Sequence, residues 1–207
     1  MARLLIRGKR PLVGTFRPSG NKNAALPMLA ASLLTDEPLI LHGIPRIRDV
    51  CVMIELLEGL GVDVSWQDTT IHLQAARVSN DDPDPQHCRR IRASILLAGP
   101  LCVRRGHVRL PPPGGDIIGR RRLDSHIAGL QALGATASVS DTFHFSAPSL
   151  TGTDILLDEA SVTATENLLM AASLAGGKTT LYHAACEPHV EDLGHLLRAM
   201  GATIHGL

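Results

Sequence analysis

One recurrence constrains the chain more than any other feature. Apolar residues at Val50, Met53, Leu57 and Leu60 follow i, i+3, i+7, i+10 spacing and are closed at once by Gly61. The frame returns at Leu123, His126, Leu130 and Leu133 with Gly134, and again at Val190, Leu193, Leu197 and Met200 with Gly201. Such spacing lays one apolar stripe along a helix, and glycine is the residue that most easily takes the left-handed conformation just past a helix end. The stops fall at intervals of roughly seventy residues, the period of a supersecondary repeat.

The surroundings repeat as well. A second helix is expected before each of these, over residues 24–34, 91–103 and 165–175, each leading into a short strand at 39–42, 108–110 and 179–182. After the glycine the first two copies alternate through hairpins, 62–66 with 71–73 and 135–139 with 143–145, whereas the third has a single strand at 202–207. Each unit therefore reads helix, strand, helix, strand, strand. The units are placed at approximately 15–78, 86–147 and 155–207, the last incomplete, within one α+β domain covering residues 1–207. Residues 79–86, acidic and proline-punctuated, and 147–154, small and polar, read as surface connections. Chance similarity of three amphipathic helices is the alternative, since glycine after a helix is common on its own.

Composition narrows the function. With 207 residues, 44% of them hydrophobic and 19% charged, the chain buries a core without staples and is not disordered. Lys plus Arg and Asp plus Glu number 20 each, so no bulk charge draws it to nucleic acid or an anionic membrane. Aromatics at 2% remove the stacking platforms of single-strand binders. No apolar run is long enough for a signal-peptide core or a membrane span, and a cytoplasmic protein is expected. Cys51, Cys88, Cys102 and Cys186 lie far apart without a Cys-x-x-Cys pair and are expected to be reduced and buried.

Residues shared by the units build the core, so departures from the shared pattern are where chemistry is sought. His126 fills the slot of Met53 and Leu193, so its ring faces the interior or a cleft; a satisfied core histidine is the plainer reading. The loop Pro111-Pro112-Pro113-Gly114-Gly115-Asp116 has no counterpart and leads to Gly119-Arg120-Arg121-Arg122. It reads as a lid with a carboxyl near its tip, Asp116, set beside arginines that tune its pKa for proton transfer; a solvated loop is the alternative. Lys22 and Asn23, then Arg89, Arg90 and Arg92, then Ser161 to Asn167, stand at equivalent helix starts. There cations and unpaired amides converge on one anion if the units pack about an axis, although Ser161 also suits simple N-capping. Gly176-Gly177-Lys178-Thr179 is not a phosphate loop, because residue 172 is alanine and a strand follows, and His189 and His195 lack zinc-site spacing.

The run Ser19-Gly20-Asn21-Lys22-Asn23-Ala24-Ala25-Leu26-Pro27 resembles the enolpyruvyl transferases. The likeness continues through Arg92-Ala93-Ser94-Ile95, Pro113-Gly114-Gly115-Asp116, Asp124, His126, Ser161-Val162, Ala164-Thr165-Glu166-Asn167 and Glu187-Pro188. It implies one of the two domains of that fold, three repeated units about a pseudo-threefold axis forming an inside-out α/β barrel, with the second domain absent. Within the family it points to the branch that moves the enolpyruvyl group of phosphoenolpyruvate to the 3-hydroxyl of UDP-N-acetylglucosamine, in peptidoglycan precursor synthesis. The branch acting on shikimate 3-phosphate, and a noncatalytic sugar-nucleotide-binding domain, are the alternatives.

The resemblance also implies roles. Lys22, Arg92 and Arg121 would hold the carboxylate and phosphate of phosphoenolpyruvate, Asn23 would contact the sugar, and Arg121, Arg122, Leu123, Asp124, Ser125 and His126, with Ser161, Val162 and Thr163, would line the uridine diphosphate site. Asp116 stands where most members carry a lid cysteine that is alkylated by fosfomycin, so resistance to that drug is expected, a carboxylate being a poorer soft nucleophile than a thiolate. Glu159 stands where some members have lysine, Arg122 replaces a proline and Thr163 a glycine. No metal or organic cofactor is expected. The expected partners are the two substrates and either the missing domain or a second copy meeting the exposed half-interface.

Overall fold

The computed structural model describes residues 3–79, 82–115 and 122–207. The first unit comprises α1 (Lys22–Ala31) with a 3-10 turn at Ser32–Leu34, β1 (Leu39–Leu41), α2 (Arg48–Gly59), β2 (Asp63–Gln67) and β3 (Thr70–Gln74). The second runs α3 (Pro85–Cys88), a 3-10 segment Arg92–Leu97, α4 (Ala98–Arg105), β4 (His107–Leu110), α5 (Asp124–Ala132), β5 (Thr136–Val139) and β6 (Phe143–Ser146). The third holds β7 (Asp154–Leu156), α6 (Val162–Ala172), β8 (Thr180–Tyr182) and α7 (Pro188–Ala199).

The repeated glycines do the same work three times. Gly61, Gly134 and Gly201 have φ of 89°, 102° and 103°, the region a side chain disfavours. Each donates to a carbonyl three residues back, and the next residue reaches five back: Val62 to Leu57 at 3.0 Å, Ala135 to Leu130 at 3.0 Å, Ala202 to Leu197 at 2.9 Å. This paired closure satisfies carbonyls that the helix end would strand, and it turns each chain toward its next segment. The apolar stripes ending there are buried at Val50, Met53, Leu57, Leu60, Leu130, Leu133, Val190, Leu193 and Leu197.

Three helical segments pack on one another: α1, the 92–97 turn with α4, and α6. They are buried on nearly every side, as in α1, where Ala24, Ala25, Leu26, Pro27, Leu29, Ala30 and Ala31 are all enclosed, and α2, α5 and α7 flank them. Two antiparallel sheets have the order β1-β3-β2 and β4-β6-β5, so the return strand of each hairpin sits in the middle. In both, an apolar residue of the middle strand meets the core: Ile71 and Leu73 in β3, Phe145 in β6.

Several expectations are corrected. The helix expected over 91–103 is broken into the 3-10 segment and α4. Pro100 has no N–H for the Leu96 carbonyl and its ring would crowd that carbonyl, so an α-helix can contain it only near its start. Asp154, read as the end of a connection, opens the strand Asp154–Leu156, which pairs parallel to β8, and the 79–86 connection runs into the short helix α3. Residues 202–207 form no strand. In the other units the strand after the glycine bonds only to the middle strand, and the third unit has no such partner; the Arg198 guanidinium instead donates to the Ile204 carbonyl. Of the cysteines, all free, only Cys88 and Cys102 are buried, and burial pushes their thiols up to about 12 and about 11; Cys51 and Cys186 are exposed.

Two regions stay uncovered. Residues 3–20 carry no helix or strand and expose Leu4, Leu5, Ile6, Leu12, Val13 and Phe16, each by more than four-fifths. A cavity of about 920 Å³ opens between α6, β8, α7 and residues 202–207. No described helix is long and apolar enough to cross a membrane.

Candidate functional site

The start of α5, the start of α6 and the 92–97 segment meet at one seam. Here three of the departures singled out in the sequence, Arg122, His126 and Thr163, come together. His126 on α5 is 1% exposed, and its Nε2 lies 3.1 Å from the Thr163 hydroxyl on α6. Its Nδ1 lies 3.0 Å from the Asn167 carboxamide. Beside it, the Ser125 hydroxyl donates to Asp158 at 2.6 Å, and Arg92 donates to the Arg122 carbonyl at 3.2 Å. Arg122 itself pairs through Nε with Asp124 and, at 3.7 Å, with Asp158.

Asn167 holds the seam together. Its Oδ1 accepts the Gly99 N–H at 2.7 Å and its Nδ2 donates to the Ile95 carbonyl at 2.8 Å. In a continuous α-helix those two backbone groups would bond to each other, residue 99 to residue 95. The carboxamide is inserted between them: it gives the Gly99 N–H an acceptor at the break before α4 and adds a second donor to the Ile95 carbonyl, which also takes the Ala98 N–H. Only glycine fits at 99, because a Cβ there would lie 2.5 Å from the Asn167 carbonyl oxygen.

The electrostatics follow from the packing. Burial, then the nearby Arg92 charge, holds the His126 ring down at about 3, so it is neutral at ordinary pH. The Ser125 hydroxyl, with Arg122, holds the Asp158 carboxyl below its usual range, and the Asp124 hydrogen bond raises Arg122. Glu166, next along α6, is 1% exposed; its Oε1 has no hydrogen-bond partner among the described residues. Burial, then the Glu187 charge, pushes its carboxyl up to about 8.

The remaining site residues are placed as follows. Lys22 opens α1 and gives its ammonium to Asp49 on α2 at 2.8 Å, while Asn23 donates its backbone N–H to the Asn21 cap; among the described residues neither is hydrogen-bonded into the seam. Leu123 is the residue before α5, and Val162 is the first residue of α6, capped by Ser161 whose hydroxyl accepts the Ala164 N–H. Asp116 and Arg121 lie outside the described residues. The root of their loop is seated on the second unit: Gly114 donates to the Cys88 carbonyl, and a Cβ on Gly115 would lie 3.0 Å from the Arg92 backbone nitrogen. Asp158, Asn167 and Asp49 were not picked out as site residues. Asn167 stood inside a run read as a helix start, and its partners Ile95 and Gly99 come from another unit.

The seam thus gathers the Arg92 guanidinium, Arg122 paired with Asp124 and Asp158, and the Ser125 and Thr163 hydroxyls around a buried neutral imidazole beside the starts of α5 and α6; helix starts and guanidinium groups suit oxygen-rich anions. The chain matches the family described as "EPSP synthase (3-phosphoshikimate 1-carboxyvinyltransferase)" over residues 6–207. It is 52% identical over 204 residues to a UDP-N-acetylglucosamine 1-carboxyvinyltransferase of Bradyrhizobium diazoefficiens, covering 98% of this chain and 47% of that protein. A protein of the same name from Treponema denticola is 50% identical over 208 residues, covering 100% and 49%. Among solved structures, the enolpyruvyl transferase NikO of Streptomyces tendae superposes with a TM-score of 0.82 at 24% identity over 94% of this chain and 46% of that one. An Acinetobacter baumannii EPSP synthase superposes at 0.75 with 16% identity, over 94% of this chain and 45% of that one. The chain spans about half the length of the relatives it matches.

Proposed function

This chain belongs to the EPSP synthase family, and from that premise we propose that it is an enolpyruvyl-transfer half-site whose acceptor is a sugar nucleotide, UDP-N-acetylglucosamine. The observation that carries the reading is the seam itself: Arg92, Arg122, Ser125, His126 and Thr163 converge from three segments. The relatives near 50% identity bear the name of that activity. In this reading the sugar 3-hydroxyl adds to C2 of phosphoenolpyruvate, giving up its proton to a base on the complementary half, while Asp116 protonates the methylene carbon to a methyl group. Phosphate then leaves C2 as the methyl group returns a proton to the carboxylate of Asp116, which restores the double bond. Lys22, Arg92 and Arg121 neutralise the carboxylate and phosphate, Asn23 meets the sugar, and Leu123, Asp124, Ser161 and Val162 complete the nucleotide wall.

Such charge development needs a site closed to water. The complementary half comes from a second domain or from a second copy, and the exposed apolar residues 4–16 and the 920 Å³ cavity are the surfaces it would cover. The setting is cytoplasmic peptidoglycan precursor synthesis. Because the lid acid is Asp116 rather than a thiol, fosfomycin leaves the protein unmodified; mass spectrometry finding a covalent adduct on Asp116 contradicts this.

Calorimetry tests the acceptor. Heat on adding UDP-N-acetylglucosamine, and none with shikimate 3-phosphate, supports the reading; the reverse assigns the chain to the other branch. Phosphate release from phosphoenolpyruvate, with the complementary half supplied, then separates an enzyme from a binding domain.

A further inference from the structure

Thr163 and Asn167 lie one turn apart on α6, and the hydrogen bonds between them have a direction that the structure forces. The Gly99 backbone N–H can only donate, so the Asn167 atom 2.7 Å from it is the oxygen. The Ile95 carbonyl can only accept, so the Asn167 atom 2.8 Å from it is the nitrogen. The carboxamide is fixed in one orientation by both ends. Its remaining N–H faces His126 Nδ1 at 3.0 Å, which makes Nδ1 the lone-pair nitrogen and puts the ring proton on Nε2. Nε2–H then donates to the Thr163 oxygen at 3.1 Å.

The Thr163 hydroxyl is therefore an acceptor on its protein side, and its own proton has no acceptor among the described residues. Thr163 is half-buried, and its partner His126 feels the positive charge of Arg92, which also holds the Arg122 carbonyl; the Arg122 guanidinium is paired with Asp124 and Asp158. We propose that Thr163 is a specificity-determining donor, giving its hydroxyl hydrogen to an anionic oxygen of the diphosphate, and that Asn167, through His126, is the positioning residue that fixes this polarity. The inference rests on the sugar-nucleotide reading. It adds a side-chain donor where a glycine would offer only backbone.

The test uses the full 207-residue chain. Two-bond 15N–1H correlations of the His126 ring in the free protein are expected to show the Nε2–H tautomer. Calorimetry with UDP-N-acetylglucosamine and with UDP then compares the wild type with Thr163→Ser and Thr163→Val. Serine is expected to bind within about twofold of wild type and valine about tenfold more weakly for both ligands, the scale of one hydrogen bond to a charged acceptor. Asn167→Asp cannot donate, so it is expected to draw the ring proton to Nδ1, turn the Thr163 hydroxyl inward and reproduce the valine loss. If that variant does not fold, the wild-type tautomer and the serine–valine pair still decide. An Nδ1–H ring in the wild type, or valine binding as tightly as serine, overturns the inference alone. A wild-type chain that binds neither ligand overturns the sugar-nucleotide reading and the inference together.

Discussion

Two faces of the same helix treat buried polarity in opposite ways. Where α6 meets α5 and the 92–97 segment, Asn167 satisfies Gly99, Ile95 and His126 at once, and every hydrogen-bonding atom of its carboxamide is engaged. One residue earlier, Glu166 is equally enclosed, yet one of its oxygens has no partner among the described residues and the nearest named charge is another carboxylate, Glu187. A closed polar network locks three chain segments into one geometry, whereas a half-satisfied group stores cost. The contrast puts the rigid face of α6 on the side of the proposed ligand.

Breaking the satisfied face should have the largest effect. Asn167→Ala takes the partner from the Gly99 N–H and from His126 Nδ1 in a buried seam, while the Ile95 carbonyl keeps the Ala98 N–H, and it is expected to lower unfolding stability in urea by about 2–4 kcal/mol. A loss under about 1 kcal/mol would mean that water already shares the seam.

The unsatisfied face is sharpened by pH. Glu166 has a folded pKa of about 8 against an ordinary 4.5, so the folded chain keeps a proton that the unfolded chain releases. Stability present below about 4.5 is lost as pH rises toward 8. His126 does the opposite: with a folded pKa of about 3 against 6.5, its stability is present above 6.5 and lost as pH falls toward 3. The two limbs place maximum stability between about 4.5 and 6.5. Glu166→Gln is expected to remove the alkaline limb, gaining on the order of 3 kcal/mol at pH 8 and changing little at pH 5. Thermal melts across pH that keep the same alkaline slope in the variant would contradict this assignment.

Smaller effects test the packing and the cap. Gly99→Ala forces the Asn167 backbone away and is expected to cost about 2 kcal/mol in the same urea titration, without shifting the pH optimum. Ser161→Ala removes one N-terminal cap whose bond is long, 3.4 Å, and is expected to cost about 0.5–1 kcal/mol.

What could be read beforehand follows from range. The three helix stops and their stripes are local patterns, and all three closures form at Gly61, Gly134 and Gly201. His126 stood out because it broke a repeated slot, and it is buried as that slot requires. The interruption before α4 carried a local signal in Gly99-Pro100 that helical periodicity masked. Asn167 was unreadable as the keystone because its partners lie 41 to 72 residues away, across units that only the fold brings together. Asp158 was missed for the same reason, its partners Ser125 and Arg122 lying in the preceding unit. Lys22 was read as an anion clamp from its place at a helix start; its contact with Asp49 depends on how α2 packs, which no spacing reveals.

The central claim is that the sugar nucleotide occupies the satisfied face of α6. An amide chemical-shift titration of the 15N-labelled chain with UDP-N-acetylglucosamine tests it directly. The account predicts saturable shifts concentrated at residues 122–126 and 161–163. Shifts confined to residues 202–207 and the β8 cavity, or none at all, would contradict it.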